Sequence, residues 1–360
     1  MKVGIYTRYI DELGLTGPNI YTVNLIKHLS KQRNIDVYLI HHQQNKNRIY
    51  KDANEILIPK QPLLGELSLR RYDLNIVHFN HIPWGFRSFS PLLRFRKIAT
   101  SHMSLGWGDR KVYLIQRWTE PFSANFLDMI IAVSKDLKTR LLDYLHIPES
   151  KIRVIYEGID HEIFKPLDDA DLTRVKSKYA LKSHYVLHVS NFSERKNPHT
   201  LFHTFHFLVR DGFEGELLIV GAGWRNPVSE NLIQALGIGN KVRIIGYVPM
   251  KDLVALYNLA ELAFFPSHHE NFCFPIVEAM ASGTPVVASG VYSIPEIVGN
   301  AATLCEPNDC MGFTTAIKTI LEDEGLREEM RKRGWNNAAR FSWDKCAKET
   351  IEVYKKRLSN

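Results

Sequence analysis

Two carboxylates, Glu270 and Glu278, bracket the start of a short apolar stretch in the run His268-His269-Glu270-Asn271-Phe272-Cys273-Phe274-Pro275-Ile276-Val277-Glu278-Ala279-Met280-Ala281-Ser282-Gly283-Thr284-Pro285. Pro275 suits the first position of a helix and Gly283 its C-terminal stop, so Glu270 is expected in the loop feeding that helix and Glu278 in its first turn. Carboxylates accept hydrogen bonds from hydroxyls, and the N–H groups of Asn271 to Phe274 at a helix N-terminus attract anions. Together they suit a ligand that carries sugar hydroxyls and a phosphate. The same spacing also describes a plain helix start whose acids serve the macrodipole. Arg195 and Lys196, in Ser190-Asn191-Phe192-Ser193-Glu194-Arg195-Lys196-Asn197, are a second candidate cluster, able to neutralise an anion or to stand as solvated loop charges. Thr16-Gly17-Pro18-Asn19 precedes a helix-period stretch from Ile20 to Leu29, with Gly17 free to turn and Pro18 suited to the first helical position. Gly221-Ala222-Gly223 follows a strand without the third glycine of a dinucleotide fingerprint and reads as a tight turn. His41-His42, His78-x-x-His81 and His268-His269 form no recognised ligand set, so no metal site is expected.

These groups need elements to hold them. Short β-branched and aromatic runs, each followed by turn chemistry and a helix-period stretch, recur along the chain as in a parallel sheet with crossover helices. The first set is Val3 to Tyr6, Val37 to Ile40, Asn75 to Phe79, Lys97 to Ser101 and Met129 to Val133. After Lys151 to Ile155 and the turn Glu157-Gly158-Ile159-Asp160, a second set runs through Tyr185 to Val189, Leu217 to Val220, Val242 to Ile245, Leu262 to Phe265 and Pro285 to Ala288. The fold class is therefore α/β, with two doubly wound, Rossmann-like domains. The Pro166 to Asp171 segment reads as a linker. We expect an N-terminal domain over residues 1–165, a second domain over 166–335, and a final helix in 336–360 that crosses back to the first. Open α/β sheets bind ligands at the carboxyl ends of their strands, so a central cleft faced by both domains is the expected site.

Composition narrows the class. A chain of 360 residues that is 45% apolar and 24% charged can bury two cores, which excludes global disorder. No apolar run approaches the ~18–20 residues of a membrane span, and Met1 to Tyr6 lacks the apolar region of a signal peptide, so a cytoplasmic protein is expected. Cys273, Cys305, Cys310 and Cys346 show no C-x-x-C spacing and are expected as free thiols. Charge is unevenly shared: residues 1–166 hold 24 Lys and Arg against 16 Asp and Glu, while the remainder holds 22 against 23. In the basic half, Arg94, Arg96, Lys97, Arg110, Lys111 and Arg117 lie near Leu92, Leu93, Phe95, Trp107, Tyr113 and Trp118. Cations mixed with interfacial aromatics suit an anionic membrane surface, and equally a solvated face with the aromatics in the core.

The run from Glu270 through Glu278-Ala279-Met280-Ala281 to Gly283-Thr284-Pro285-Val286-Val287-Ala288-Ser289 resembles the donor-site signature of retaining GT-B glycosyltransferases of the group 1, or family 4, class. Ser293-Ile294-Pro295-Glu296-Ile297-Val298, Pro307-Asn308-Asp309, the Lys151 to Asp160 segment, Phe164-Lys165-Pro166, the Ser190 to Asn197 segment and Phe341-Ser342-Trp343 resemble the same family in order and spacing. The likeness covers nearly the whole chain.

The resemblance implies a hexosyl transfer from a nucleotide diphosphate sugar to an acceptor hydroxyl, with retention, on a glycan or lipid-linked acceptor of cell-surface polysaccharide or glycolipid synthesis. It implies that Glu278 binds the donor ribose, that Glu270 faces the transferred sugar, and that the backbone of Asn271, Phe272, Cys273 and Phe274 holds sugar and diphosphate. Lys196, with Arg195, would neutralise the diphosphate in place of a metal; no cofactor and no nucleic acid are implied. Gly17 would lie against acceptor and donor phosphate, and His102 near the donor sugar. The sequence departs from the family pattern at Asn191, Asn271 and Cys273, where glycines or an arginine are usual, and at Met103, where an aspartate is usual. That makes a positioning role for His102 a safer expectation than a base. A nucleotide-sugar isomerase and a catalytically silent binding protein of the same fold are the alternatives, and a peripheral place at the inner face of the membrane is the corresponding expectation of location.

Overall fold

The computed structural model describes residues 1–7, 16–42, 54–83, 94–102, 110–181 and 184–359, with backbone alone at 62–63 and 110–115. Leu92, Leu93, Met103 and Trp107 lie outside the described residues, as do the side chains of Arg110, Lys111 and Tyr113. The chain divides into two compact units, Met1–Gly158 with Ser342–Asn360, and Ile159–Phe341.

The first unit is built on β1 (Lys2–Tyr6), α1 (Gly17–Ser30), β2 (Asp36–His41), β3 (Asn54–Leu57), α2 (Pro62–Ser68), β4 (Ile76–Phe79), β5 (Arg96–Ser101), α3 (Arg110–Asn125), β6 (Met129–Ala132), α4 (Lys135–Leu145) and β7 (Ile152–Val154). Its strands pair in parallel in the order β3-β2-β1-β4-β5-β6-β7. The second unit carries α5 (Asp169–Lys178), β8 (Tyr185–Val189), α6 (Pro198–Arg210), β9 (Glu216–Val220), α7 (Pro227–Ala235), β10 (Val242–Gly246), α8 (Met250–Leu259), β11 (Leu262–Phe265), α9 (Phe274–Ala281), β12 (Val286–Ser289), α10 (Ile294–Val298), β13 (Ala302–Cys305), α11 (Cys310–Glu322) and α12 (Glu324–Ala338). Its parallel order is β10-β9-β8-β11-β12-β13. Strands β8, β9, β11 and β12 are buried at every residue, as parallel strands covered on both faces must be. In each sheet the direction of winding reverses once, between β1 and β4 and between β8 and β11, and a crevice opens at such a point.

A last helix, α13 (Trp343–Ser359), belongs to the first unit, where it packs on α1, and its Tyr354 hydroxyl lies 2.5 Å from Nδ1 of His78. A Cβ on Gly158 would stand 2.2 Å from the Trp343 nitrogen, so only glycine admits the returning chain there. The unit boundaries therefore fall at 158 and 341 rather than at 165 and 335. Residues 159–167 are fastened within the second unit: Ile159 N–H donates to the Phe341 carbonyl, Leu167 N–H to Asn258 Oδ1, and Phe164 meets the Tyr257 ring edge-on. The expected linker is a helix start, with the Asp168 carboxylate capping α5 through Asp171 N–H. α12 stays with the second unit because Gly334 lies against Met280 and Asn337 donates to the Ile297 carbonyl.

The basic run of residues 94–97 is only partly a surface. Phe95 and Lys97 are buried and Arg96 pairs with Asp128 at 3.2 Å, because β5 starts here. On α3, by contrast, Trp118 is 81% exposed, Phe122 is 46% exposed and Arg117 is open. Among the described residues no helix is long and apolar enough to cross a membrane.

Two local departures concern the site helix. α9 begins at Phe274, so Pro275 is its second residue and Glu278 lies in its second turn, not its first. Likewise Gly17 is itself the first residue of α1 and Pro18 the second. Gly283 ends α9 as expected, at φ +82° against the Trp335 ring. The N-cap is Cys273 at φ +65° and ψ +72°, the left-handed region that costs a non-glycine residue about 1 kcal/mol or more. Cys273→Gly is therefore expected to hold stability or raise it by up to about 1 kcal/mol, whereas a β-branched Cys273→Val loses about 2 kcal/mol. Urea unfolding checks this; a valine variant as stable as the glycine variant contradicts it.

Candidate active site

Strands β8 and β11 pair through Val186 with Leu262 and Leu187 with Ala263, and then part. The buried imidazole of His188 spans the gap. Nδ1 lies 2.8 Å from the Phe264 carbonyl, which can only accept, so Nδ1 carries the proton and Nε2 accepts from the Ser190 hydroxyl at 2.8 Å. Burial holds this imidazole down at about 4, hence neutral at pH 7. The loops that leave the two strands here carry the charged groups.

After β8, Trp224 Nε1 donates to the Ser190 carbonyl, and Asn191 Oδ1 accepts from Ala222 N–H. Gly221, at φ +131°, touches that carbonyl so closely that a Cβ would sit 2.0 Å from it. The loop then turns through Glu194–Lys196 into a left-handed Asn197, whose side chain caps α6 and donates to the Pro307 carbonyl. Arg195 and Lys196 are thereby fixed at the head of the crevice.

After β11, His268 N–H donates to the Arg195 carbonyl, joining the loops. Arg195 Nη1 reaches both the His269 carbonyl at 2.7 Å and Glu270 Oε2 at 2.8 Å, while Lys196 Nζ meets Glu270 Oε1 at 2.6 Å. Ser293 Oγ donates to the Glu270 carbonyl. All three charged groups are largely withdrawn from water, with side chains exposed by 5% for Glu270, 11% for Lys196 and 25% for Arg195. Burial alone would push the Glu270 carboxyl up, but Lys196 and Arg195 overcome it and hold it at about 2. The carboxylate is thus a fixed charge at any physiological pH, and the cluster keeps one net positive charge beside the N-terminus of α9. A second anion is attracted there.

Glu278 stands in a different environment. It is buried, and its partner is the Tyr257 hydroxyl on α8, which donates to Oε2 at 3.0 Å. Burial raises its carboxyl to about 7, with the Tyr257 hydrogen bond pulling the other way. One acid is locked ionised and the other is poised near neutrality, the separation that assigns different tasks to two carboxylates. Between them, the Phe272 ring packs edge-on against Phe274 and Phe341, and the Cys273 thiol is buried and pushed up by that burial. These three side chains are core, so their backbone is what they can offer a ligand; Asn271 is half-buried.

Gly17 and His102 belong to the first unit. His102 follows β5, with Nδ1 3.3 Å from Glu157 Oε1 and the Tyr21 ring 4.7 Å away. Burial, helped by His78 and His81, lowers the imidazole to about 3, and burial raises the Glu157 carboxyl well above its usual range. Both shifts act against the charged form of each partner in this contact. Beneath it a buried chain runs from Tyr21 through Thr100 to His78 and Tyr354.

His188 and Tyr257 were not among the expected site residues. His188 stood in a recognised strand without a signal of its role, and Tyr257 lies in a helix with no motif around it. Glu157 was visible only as part of a turn.

Comparison with known proteins shows the family of the chain and its fold. The family described as glycosyl transferases group 1 matches residues 169–337, and the family described as glycosyltransferase family 4 matches residues 15–163. The O-antigen chain mannosyltransferase B of Escherichia coli is 27% identical over 95% of this chain and 96% of its own length. The MMP alpha-(1→4)-mannosyltransferase of Mycolicibacterium hassiacum is 29% identical over 81% of this chain and 73% of its own. Among solved structures, Anabaena Alr3699/HepE in complex with UDP and glucose matches with a TM-score of 0.81 at 19% identity, over 99% of this chain and 100% of that one, a likeness of fold. Each unit is matched by its own family, and the fold is that of the GT-B glycosyltransferases: the chain belongs to the group 1 glycosyltransferases.

Proposed function

We propose that this enzyme is a retaining hexosyltransferase that takes its sugar from a nucleoside diphosphate sugar, mannose being the first candidate, and places it on a hydroxyl of a glycan or lipid-linked acceptor in cell-surface polysaccharide or glycolipid synthesis. The observation that carries this reading is the buried Lys196–Glu270–Arg195 cluster, with its net positive charge, where β8 and β11 part. The mannosyltransferase relatives support the choice of sugar. They also disfavour the isomerase and silent-binder alternatives.

The donor diphosphate docks at the N-terminus of α9 beside Lys196 and Arg195, and Glu278 takes the ribose hydroxyls. As the bond from the anomeric carbon to the phosphate oxygen breaks, negative charge grows on the diphosphate, and Lys196 stabilises it in a site that excludes water. This charge compensation supports a metal-independent reaction. The acceptor oxygen bonds to the anomeric carbon on the face the phosphate leaves, and the acceptor's proton passes to the departing phosphate oxygen. Both Glu270 oxygens are already held by cations, which favours this front-side path over a covalent glycosyl–carboxylate intermediate. Glu270 then has two tasks, aiming the cations and facing the positively charged sugar in flight. For His102 we propose a hydrogen-bonding role toward the sugar rather than that of a base, and for Gly17 a role toward the donor phosphate.

Because Lys196 acts on charge that develops during the reaction, Lys196→Ala is expected to lower kcat about ten- to hundredfold and to change donor KM less. Turnover of wild type should survive EDTA. Initial rates with a GDP-mannose or UDP-glucose donor check both; equal losses in affinity and turnover contradict the role of Lys196, and restoration by magnesium after chelation contradicts metal independence.

A peripheral membrane position rests on α3, where Trp118, Phe122 and Arg117 are exposed together. Sedimentation with anionic vesicles at low salt is expected to carry the enzyme down, and Trp118→Ala with Arg117→Ala to release it. Equal, negligible binding to anionic and neutral vesicles contradicts this and favours a soluble acceptor.

A further inference from the structure

Tyr257 is the one side chain that touches the Glu278 carboxylate through a hydrogen bond among the described residues, and its own position is unusually well fixed. Its ring is fully buried and meets Phe164 edge-on with centroids 6.3 Å apart. Its carbonyl accepts from Thr284 Oγ1 at 2.7 Å, just past the C-terminus of α9, while the neighbouring Leu256 carbonyl accepts from the Tyr185 hydroxyl at 2.7 Å. At the other end of α8, the fully buried Asp252 takes Arg174 at 2.8 Å, Lys178 at 2.5 Å and the Tyr179 hydroxyl at 2.9 Å, tying this helix to α5. Asn258 adds bonds to Leu167 N–H and the Lys165 carbonyl. α8 is thus a rigid rail beside α9, and Tyr257 is its point of contact with the site.

That contact occupies Glu278 Oε2 and leaves Oε1 without a hydrogen bond among the described residues. We infer that Tyr257 is a positioning residue for the donor ribose: by donating to Oε2 it sets the carboxylate plane so that Oε1 receives the 2′- and 3′-hydroxyls. This rests on the ribose role proposed for Glu278. The phenol is the right donor, since burial keeps its own proton in place. It also has a consequence for ionisation. Burial raises the Glu278 carboxyl, and the Tyr257 hydrogen bond opposes that rise. Among the described residues, Tyr257 from α8 is the titratable group that acts on Glu278, and the Cys273 thiol at the head of α9 acts in turn on Tyr257; burial pushes both up, which keeps them protonated. Hydrogen bonds from ribose hydroxyls to a charged carboxylate are roughly twice as strong as to a neutral acid. Donor binding therefore draws Glu278 into its ionised form, and Tyr257 lowers the pH at which this happens.

The test compares GDP with 2′-deoxy-GDP, and UDP with 2′-deoxy-UDP, because each pair shares its phosphate ionisation and differs at the ribose. Wild type is expected to favour the ribonucleotide about tenfold, with the preference growing as pH rises through about 7. Tyr257→Phe should weaken ribonucleotide binding about fivefold, weaken the 2′-deoxynucleotide, which keeps its 3′-hydroxyl, by less, and move the pH midpoint upward. The double variant Tyr257→Phe with Glu278→Gln should bind no worse than Glu278→Gln alone, since Tyr257 acts through that carboxylate. A Tyr257→Phe enzyme with the wild-type preference and midpoint overturns the inference, as does additivity in the double variant. The wild-type pH series needs no variant, and a preference flat from about pH 6 to about pH 8.5 overturns it as well. If Glu278→Gln binds both nucleotides as wild type does, the ribose role of Glu278 itself is what fails.

Discussion

The site depends on a buried carboxylate held between two cations. A lone lysine or arginine at the parting of β8 and β11 would face the cost of losing water, and a lone glutamate would protonate. Set 2.6–2.8 Å apart, Glu270, Lys196 and Arg195 share that cost and keep their charges. Much of the second unit is arranged to hold this contact: the left-handed Asn197, the loop-to-loop bond from His268 to Arg195, and the Ser293 hydroxyl on the Glu270 carbonyl all act on its members. The surplus positive charge is what an incoming diphosphate would meet.

The second carboxylate shows the complementary solution. Among the described residues no cation pairs with Glu278, and burial raises its carboxyl, so its charge is available to be created by a ligand rather than stored in advance. The contrast follows from placement. The Glu270 loop lies against another loop that carries Arg195 and Lys196, while Glu278 lies in the second turn of α9, against a helix that offers a phenol.

Much of this was legible in the sequence because it depends on runs and punctuation. Buried parallel strands such as Tyr185–Val189 and Val286–Ser289 announce themselves as continuous apolar runs, and Gly283 marked the end of α9 through its need for a positive φ. Other features had no such signal. Asn54–Leu57 buries one residue of four, and Ala302–Cys305 is an edge strand buried only in part, so neither offers the apolar run that marks a strand. The grouping of Glu270 with both cations is a contact between loops about 75 residues apart, which local spacing does not encode. Lys97 and Phe95 looked like a surface cluster because charge in sequence does not reveal which strand positions turn inward. The departure at Cys273 was visible as a residue type, but its meaning, a left-handed N-cap without a glycine, emerges only from the backbone.

The central claim is that the donor diphosphate docks on the two loops that leave β8 and β11. Hydrogen–deuterium exchange of the whole chain, with and without GDP-mannose and UDP-glucose, tests it directly. The account predicts that a bound donor slows exchange in residues 190–197 and 267–278 above all other segments of the second unit. A donor that binds while both loops exchange as in the free enzyme would contradict it.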